Sequence, residues 1–241
     1  YYLYGRIALE NTAYRPASFY AENAVEVRLN TRAAAVDAER KRVLLADGSF
    51  VPYDKLLVAT GSRPFIPPTA GYESVERRFT FMTMDDALAL ERELSPDRRV
   101  LVVGAGLIGL KCVEGILDRV RSVTVVDMAD RILSSILDEE GAALVRRQLE
   151  EKGVRFVLGD RVAEYAGNTA RLAGGAEIAF DVLVTAVGVR PNVELVKEAG
   201  GAVCRGIVVD DRQRTSLPDV YAAGDNCESV DLCTGARRIL A

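Results

Sequence analysis

The apolar run Val100-Leu-Val-Val103 is followed by Gly104-Ala-Gly-Leu-Ile-Gly109 and then by residues that read as a helix. In that setting the GxGxxG spacing suits a dinucleotide pyrophosphate. Gly104 permits the tight turn, Gly106 lets backbone amides reach the phosphates at the helix N-terminus, and Gly109 lets helix and strand pack closely. Leu107 and Ile108 complete the loop. Asp127 ends the next apolar strand, 18 residues beyond Gly109, where a carboxylate can accept the adenosine ribose hydroxyls and repel a 2′-phosphate. Met128 and Ala129 offer no cation, so NADH is expected over NADPH, with Arg131 near enough in sequence to blur that preference.

Three further turns have the character of ligand sites. Ala59-Thr-Gly-Ser-Arg63 and Ala186-Val-Gly-Val-Arg190 each end a strand with small residues, the place where open α/β sheets bind ligands. Thr215-Ser-Leu-Pro-Asp-Val-Tyr-Ala-Ala-Gly-Asp225 delivers Gly224 and Asp225 in the same way, and Asp225 could accept a hydrogen bond from a polyol or stand as a solvated turn acid.

What the chain lacks limits the chemistry as firmly. It has no histidine among 241 residues, which excludes a Ser-His-Asp triad, a Cys-His dyad, an HExxH zinc site and a His-ligated haem. Cys112, Cys204, Cys227 and Cys233 form no CxxC pair, so neither a redox dithiol nor a metal site is expected, and reduced thiols in a cytoplasmic protein are. A net charge of −4 argues against nucleic acid. The longest apolar run, Val100 to Leu110, is 11 residues and is broken by glycines, too short to cross a membrane. The first residue is Tyr1 and not Met, which suggests a piece of something longer.

The elements that must position these groups form two related halves. Strand and hairpin signals fill Val25 to Ala59 and Val154 to Val189. Asp54-Lys-Leu-Leu-Val-Ala-Thr-Gly-Ser-Arg-Pro64 and Asp181-Val-Leu-Val-Thr-Ala-Val-Gly-Val-Arg-Pro191 lie 127 positions apart and agree at six of 11 positions. The same offset pairs Leu45 with Leu172 and Gly48 with Gly175, whereas upstream of the hairpin an offset of 129 pairs Val25 with Val154 and Arg32 with Arg161. A duplication whose first copy has a hairpin turn two residues longer predicts both offsets. The second copy also has a front half: a strand Arg99–Val103, a helix from about Leu107 to Arg119, a strand Val123–Val126 and a helix capped by Asp138. A short acidic helix, Met84–Leu94, joins the copies, and two strands, Ile207–Asp210 and Val220–Ala223, follow the second. The first copy lacks such a front half, so its glycine turn is expected 23 to 25 residues before Tyr1.

GAGLIG with its acid, the ATGSRP turn, the VGVRPN turn and TSLPDVYAAGD occur in this order in the FAD-dependent pyridine nucleotide-disulphide oxidoreductase family, which the whole chain resembles. The likeness is to its NADH:rubredoxin, NADH:ferredoxin and nitrite reductase flavoprotein branch. It implies an α/β fold of two Rossmann-like (ββα-type) nucleotide-binding domains. Residues 1–82 and 201–241 would be the two parts of an FAD domain truncated at both ends, and 83–200 the inserted NAD(P)-binding domain. It further implies an NAD site at Gly104, Gly106, Leu107, Ile108, Gly109, Asp127 and Gly188, and an FAD site at Thr60, Gly61, Arg63, Gly224 and Asp225. Hydride would pass from NADH to FAD, and electrons onward to an acceptor such as rubredoxin, ferredoxin or a nitrite reductase component, in an enzyme that could be a homodimer at full length. Lys111 stands where much of the family has a Glu beside the nicotinamide, either as an altered contact or as an exposed helix residue. The alternative is a non-catalytic NAD-binding or interaction fragment that holds no FAD. A thiol-based disulphide reductase would need a cysteine pair that the sequence does not supply.

Overall fold

The computed structural model describes residues 2–239. It is a mixed α/β structure that divides into two compact units. One contains the chain up to Ala13 together with Pro64–Gly188, the other Tyr14–Arg63 together with the chain from Val189 onward. These units differ from the sequence divisions at three stretches: up to Ala13, Pro64–Met82 and Val189–Gly200. Packing accounts for the first two, since Leu3 is 5% exposed within the core of the first unit and Arg78–Phe79 is the outer strand of its sheet.

That sheet has five parallel strands: β1 (Arg78–Phe79), β2 (Arg99–Val103), β3 (Ser122–Asp127), β4 (Val154–Leu158) and β5 (Val182–Thr185), in the order β1-β5-β2-β3-β4. Continuous apolar runs make such strands because both faces are covered. Val100, Val102, Val123, Val125, Val182 and Val184 face one core, with Leu110, Cys112, Val113 and Ile116 of the helix that follows β2. Leu101, Val126 and Leu183 face another, against Tyr165, Leu172 and Phe180 of the strands Val162–Ala166, Thr169–Leu172 and Glu177–Ala179. Each fully buried Leu or Ile contributes roughly 1.5–3 kcal/mol.

Two of the helices start at side-chain caps. Helix α1 (Met84–Glu91) opens with a capping box, in which Thr83 Oγ1 accepts from the Asp86 amide and the Asp86 carboxylate accepts from the Thr83 amide. Helix α2 (Leu107–Ile116) gives way to a 3-10 turn over Leu117–Arg119, so the expected helix to Arg119 tightens in its last turn. Helix α3 (Glu139–Glu151) is capped by Asp138, whose Oδ1 accepts from the Gly141 amide at 2.8 Å.

The second unit carries the antiparallel strands Ala33–Asp37, Arg42–Leu45 and Phe50–Pro52 and the parallel pair Leu56–Val58 with Val220–Ala222. Its core gathers Val58, Val196, Ile207, Val220 and Ala222. The duplication is visible bond for bond. Ala33 pairs with Leu45 as Val162 pairs with Leu172, each ladder breaks register at the next pair, and Gly48 and Gly175 adopt φ +86° and +88°. The first hairpin turns through residues 38–41 and the second through 167–168, which locates the two additional residues.

One expectation fails. Val25–Asn30 has the alternation of a strand, yet it makes no ladder, and Val25, Val27 and Leu29 are exposed. Its counterpart Val154–Leu158 is a strand because β3 lies beside it; among the described residues no strand pairs with 25–30.

Candidate nucleotide-binding sites

In the first unit the glycine loop lies at the carboxyl ends of β2 and β5, where the strand order reverses. Gly104 has φ +113°, and a Cβ there would fall 2.3 Å from the Ala186 carbonyl oxygen, so only glycine fits. Gly109 is as tightly enclosed: a Cβ would fall 2.0 Å from the Gly104 carbonyl oxygen. Gly106 is the reverse case. It is the N-cap of α2, no side chain caps the helix, and no atom lies within 4 Å of where its Cβ would be. Leu107 is exposed beside it and Ile108 is half-buried. The uncovered first turn therefore presents backbone amides and the positive end of the helix dipole to any anion that approaches.

Asp127 ends β3 and ties the loop down. Its Oδ2 accepts from the Ala105 amide at 2.5 Å and its Oδ1 from the Ala129 amide at 2.7 Å. A carboxylate has about four acceptor positions, so two remain for ribose hydroxyls. Arg131 donates to Asp130 at 3.2 Å and to the Ser134 carbonyl at 3.5 Å. Gly188 ends this unit with φ +117° and open space around its Cβ position. Lys111, on α2, pairs with Glu114 at 2.8 Å and lines a cavity of about 360 Å³ with Arg6, Met82 and Met84.

In the second unit the turn that carries Thr60, Gly61 and Arg63 reaches Asp225 through Ser62, while Thr60 and Arg63 themselves bond to Asn192, Asn226 and Glu194. Ser62 Oγ donates to Asp225 Oδ2 at 3.2 Å. Thr60 Oγ1 donates to the Asn192 carbonyl at 2.8 Å, and Arg63 pairs with Glu194 at 2.9 Å. Asn226, fully buried, donates to the Val58 carbonyl at 2.9 Å, while its Oδ1 has no partner. Nothing would obstruct a Cβ at Gly61 or Gly224, so the backbone of both turns is open to a ligand. The Asp225 carboxylate and the unpartnered, buried Asn226 Oδ1 are hydrogen-bond acceptors beside open glycine turns, an arrangement that suits the hydroxyls of a polyhydroxylated ligand.

Cys112 and Cys227 are buried and Cys204 and Cys233 exposed, all as free thiols. Burial pushes the Cys112 thiol up to about 12, the behaviour of a core residue and not of a nucleophile. No described helix is long and apolar enough to cross a membrane.

The pyridine nucleotide-disulphide oxidoreductase profile matches residues 5–239. The chain belongs to that family. The family's NADH-dependent phenylglyoxylate dehydrogenase subunit epsilon of Aromatoleum evansii is 34% identical over 227 residues, 92% of this chain and 54% of that protein. A rubredoxin-NAD(+) reductase of Pseudomonas putida is 35% identical over 216 residues, 88% and 56% of the two chains. Among solved structures, putidaredoxin reductase in its covalent complex with putidaredoxin superposes with a TM-score of 0.92 at 28% identity, covering 99% of this chain and 60% of that one. An NAD-dependent persulfide reductase from A. fulgidus does so with a TM-score of 0.89 at 35% identity, covering 100% and 47%. The chain thus spans about half the length of the curated family members it matches.

Proposed function

We propose that this chain is the nucleotide-binding part of an NADH-dependent flavoprotein oxidoreductase, with NADH held by the first unit and FAD by the second. In this reading the two units are Rossmann-like domains, the NAD domain inserted in the FAD domain. The observation that carries it is the Gly104–Gly109 loop, closed from beneath by Ala186 and Asp127 and open above Gly106. Asp127 would orient the adenosine ribose, and the first turn of α2 would bind the pyrophosphate. Asp127, at the end of β3, supports NADH over NADPH, because its carboxylate would repel a 2′-phosphate. Thr60, Gly61, Arg63, Gly224 and Asp225 would contact FAD, with Asp225 on its polyol chain, and Lys111 would face the nicotinamide end.

Bound flavin would supply hydride acceptance from NADH and electron transfer onward; the protein binds and orients the two cofactors. The relatives include rubredoxin-NAD(+) reductase, nitrite reductase and a putidaredoxin reductase, which supports an electron-carrier protein or a nitrite reductase component as the acceptor of the whole protein.

The test is a visible spectrum of the purified protein before and after FAD is added and the excess removed, followed by anaerobic NADH. A flavin band that bleaches with NADH is the expected result. A protein that binds NADH but never takes up flavin would overturn the reading and leave a nucleotide-binding module.

A further inference from the structure

In the second unit three turns meet at one hydroxyl. Thr60 Oγ1 donates to the Asn192 carbonyl at 2.8 Å and accepts from Asn226 Nδ2 at 3.1 Å. Asn192 returns the contact with its whole amide. Its Nδ2 donates to the Thr60 carbonyl at 2.9 Å, its backbone amide donates to the Gly61 carbonyl at 2.9 Å, and its Oδ1 accepts from Arg63 Nη1 at 2.9 Å. One residue therefore bonds to three members of the Thr60–Arg63 turn from 132 positions away. Only a carboxamide can do this, because the site asks for a donor and an acceptor on one planar group. Asp would lose the donor and face the Thr60 carbonyl with a charge, and Ala would lose both bonds.

The turn so held carries Gly61, around whose Cβ position no atom lies within 4 Å, and Ser62. Ser62 hydrogen-bonds Asp225 at 3.2 Å, so the path of residues 60–63 sets where that carboxylate lies. Asn226 fixes the same turn from the opposite flank, through Thr60 Oγ1 and the Val58 carbonyl. We infer that Asn192 is a positioning residue for the flavin site: without touching the cofactor, it locks the Thr60–Arg63 turn so that the Gly61 backbone and Asp225 present one fixed geometry. This rests on the reading that the second unit holds FAD.

The test compares Asn192→Ala and Asn192→Asp with the parent protein in three measurements: hydrogen–deuterium exchange of residues 60–63 without cofactor, FAD titration with the shape of the bound-flavin band, and NADH affinity. Loss of two hydrogen bonds predicts that Asn192→Ala weakens FAD about tenfold. It should also blur the bound-flavin band and speed exchange at residues 60–63, with NADH affinity unchanged. Asn192→Asp keeps the Arg63 bond but sets a charge against the Thr60 carbonyl, so it too should weaken FAD and speed exchange at residues 60–63, and it carries the comparison if the alanine variant does not fold. Unaltered exchange at 60–63, or wild-type FAD affinity and spectrum in the variants, overturns the inference. If the parent protein itself takes up no flavin, the flavin reading fails and the inferred flavin role fails with it, while faster exchange in the variants would still identify the turn lock.

Discussion

The Cβ that Gly109 lacks would lie 2.0 Å from the carbonyl oxygen of Gly104, well inside van der Waals contact. The two glycines are therefore one packing unit, in which α2 rests directly on the turn it leaves. Gly109→Ala must push the helix away, and overpacking of this kind costs on the order of 1–3 kcal/mol. Urea unfolding of the variant should show that loss together with weaker NADH binding.

Gly106→Ala separates binding from stability. Its φ of −78° is open to any residue and its Cβ meets nothing, so the unfolding midpoint should stay put while NADH affinity falls about tenfold or more, a loss of roughly 1.4 kcal/mol. A variant that binds NADH as the parent does would remove the helix N-terminus from the pyrophosphate site.

Asp127→Ala should weaken NADH and narrow its advantage over NADPH, because the ribose acceptor, the charge that repels a 2′-phosphate and the anchor of the Ala105 amide disappear together. Fluorescence titration with both nucleotides measures this; unchanged affinity for both would sink the assignment.

Asp181 gives a pH signature. Hydrogen bonds from Arg99 hold its carboxyl at about 2, below the ordinary 3.8. A depressed carboxyl stabilises the fold above its unfolded pKa, and that contribution is lost as pH falls from about 4 towards about 2. With Arg99 partly exposed, its size is on the order of 1 kcal/mol. Asp181→Asn should lower the urea midpoint at pH 6, and the difference should shrink steadily below pH 4. A gap independent of pH would show that packing, and not the ion pair, is responsible.

The thiols should react in two classes. Cys204 and Cys233 are exposed, whereas Cys112 and Cys227 are buried with raised pKa values. Iodoacetamide should label the exposed pair first, and the buried pair only after denaturant is added. Rapid labelling of Cys112 in the native protein would contradict the core assignment.

Much of this was legible locally. The glycine loop, the acid after the next strand, the Asp138 cap and the hairpin register are all short-range patterns, and the structure reproduces them. What the sequence hid depends on neighbours. Val25–Asn30 alternates as a strand does, but a strand needs a partner. Asn192 closes the VGVRPN turn, but neither it nor Asn226 was legible as a site residue, because their bonds reach 132 and 168 positions along the chain. The only hint lay in where they stand, one just after the Arg-Pro turn and the other just after Gly-Asp.

The unequal hairpin turns have a practical use. Residues 38–41 accommodate in one copy what residues 167–168 omit in the other, with the ladders on both sides in matching register. The tip at Gly167-Asn168 is thus a natural insertion point. A short reporter sequence or a fluorophore attachment residue placed there would follow binding in the first unit from a site the fold itself has already lengthened once.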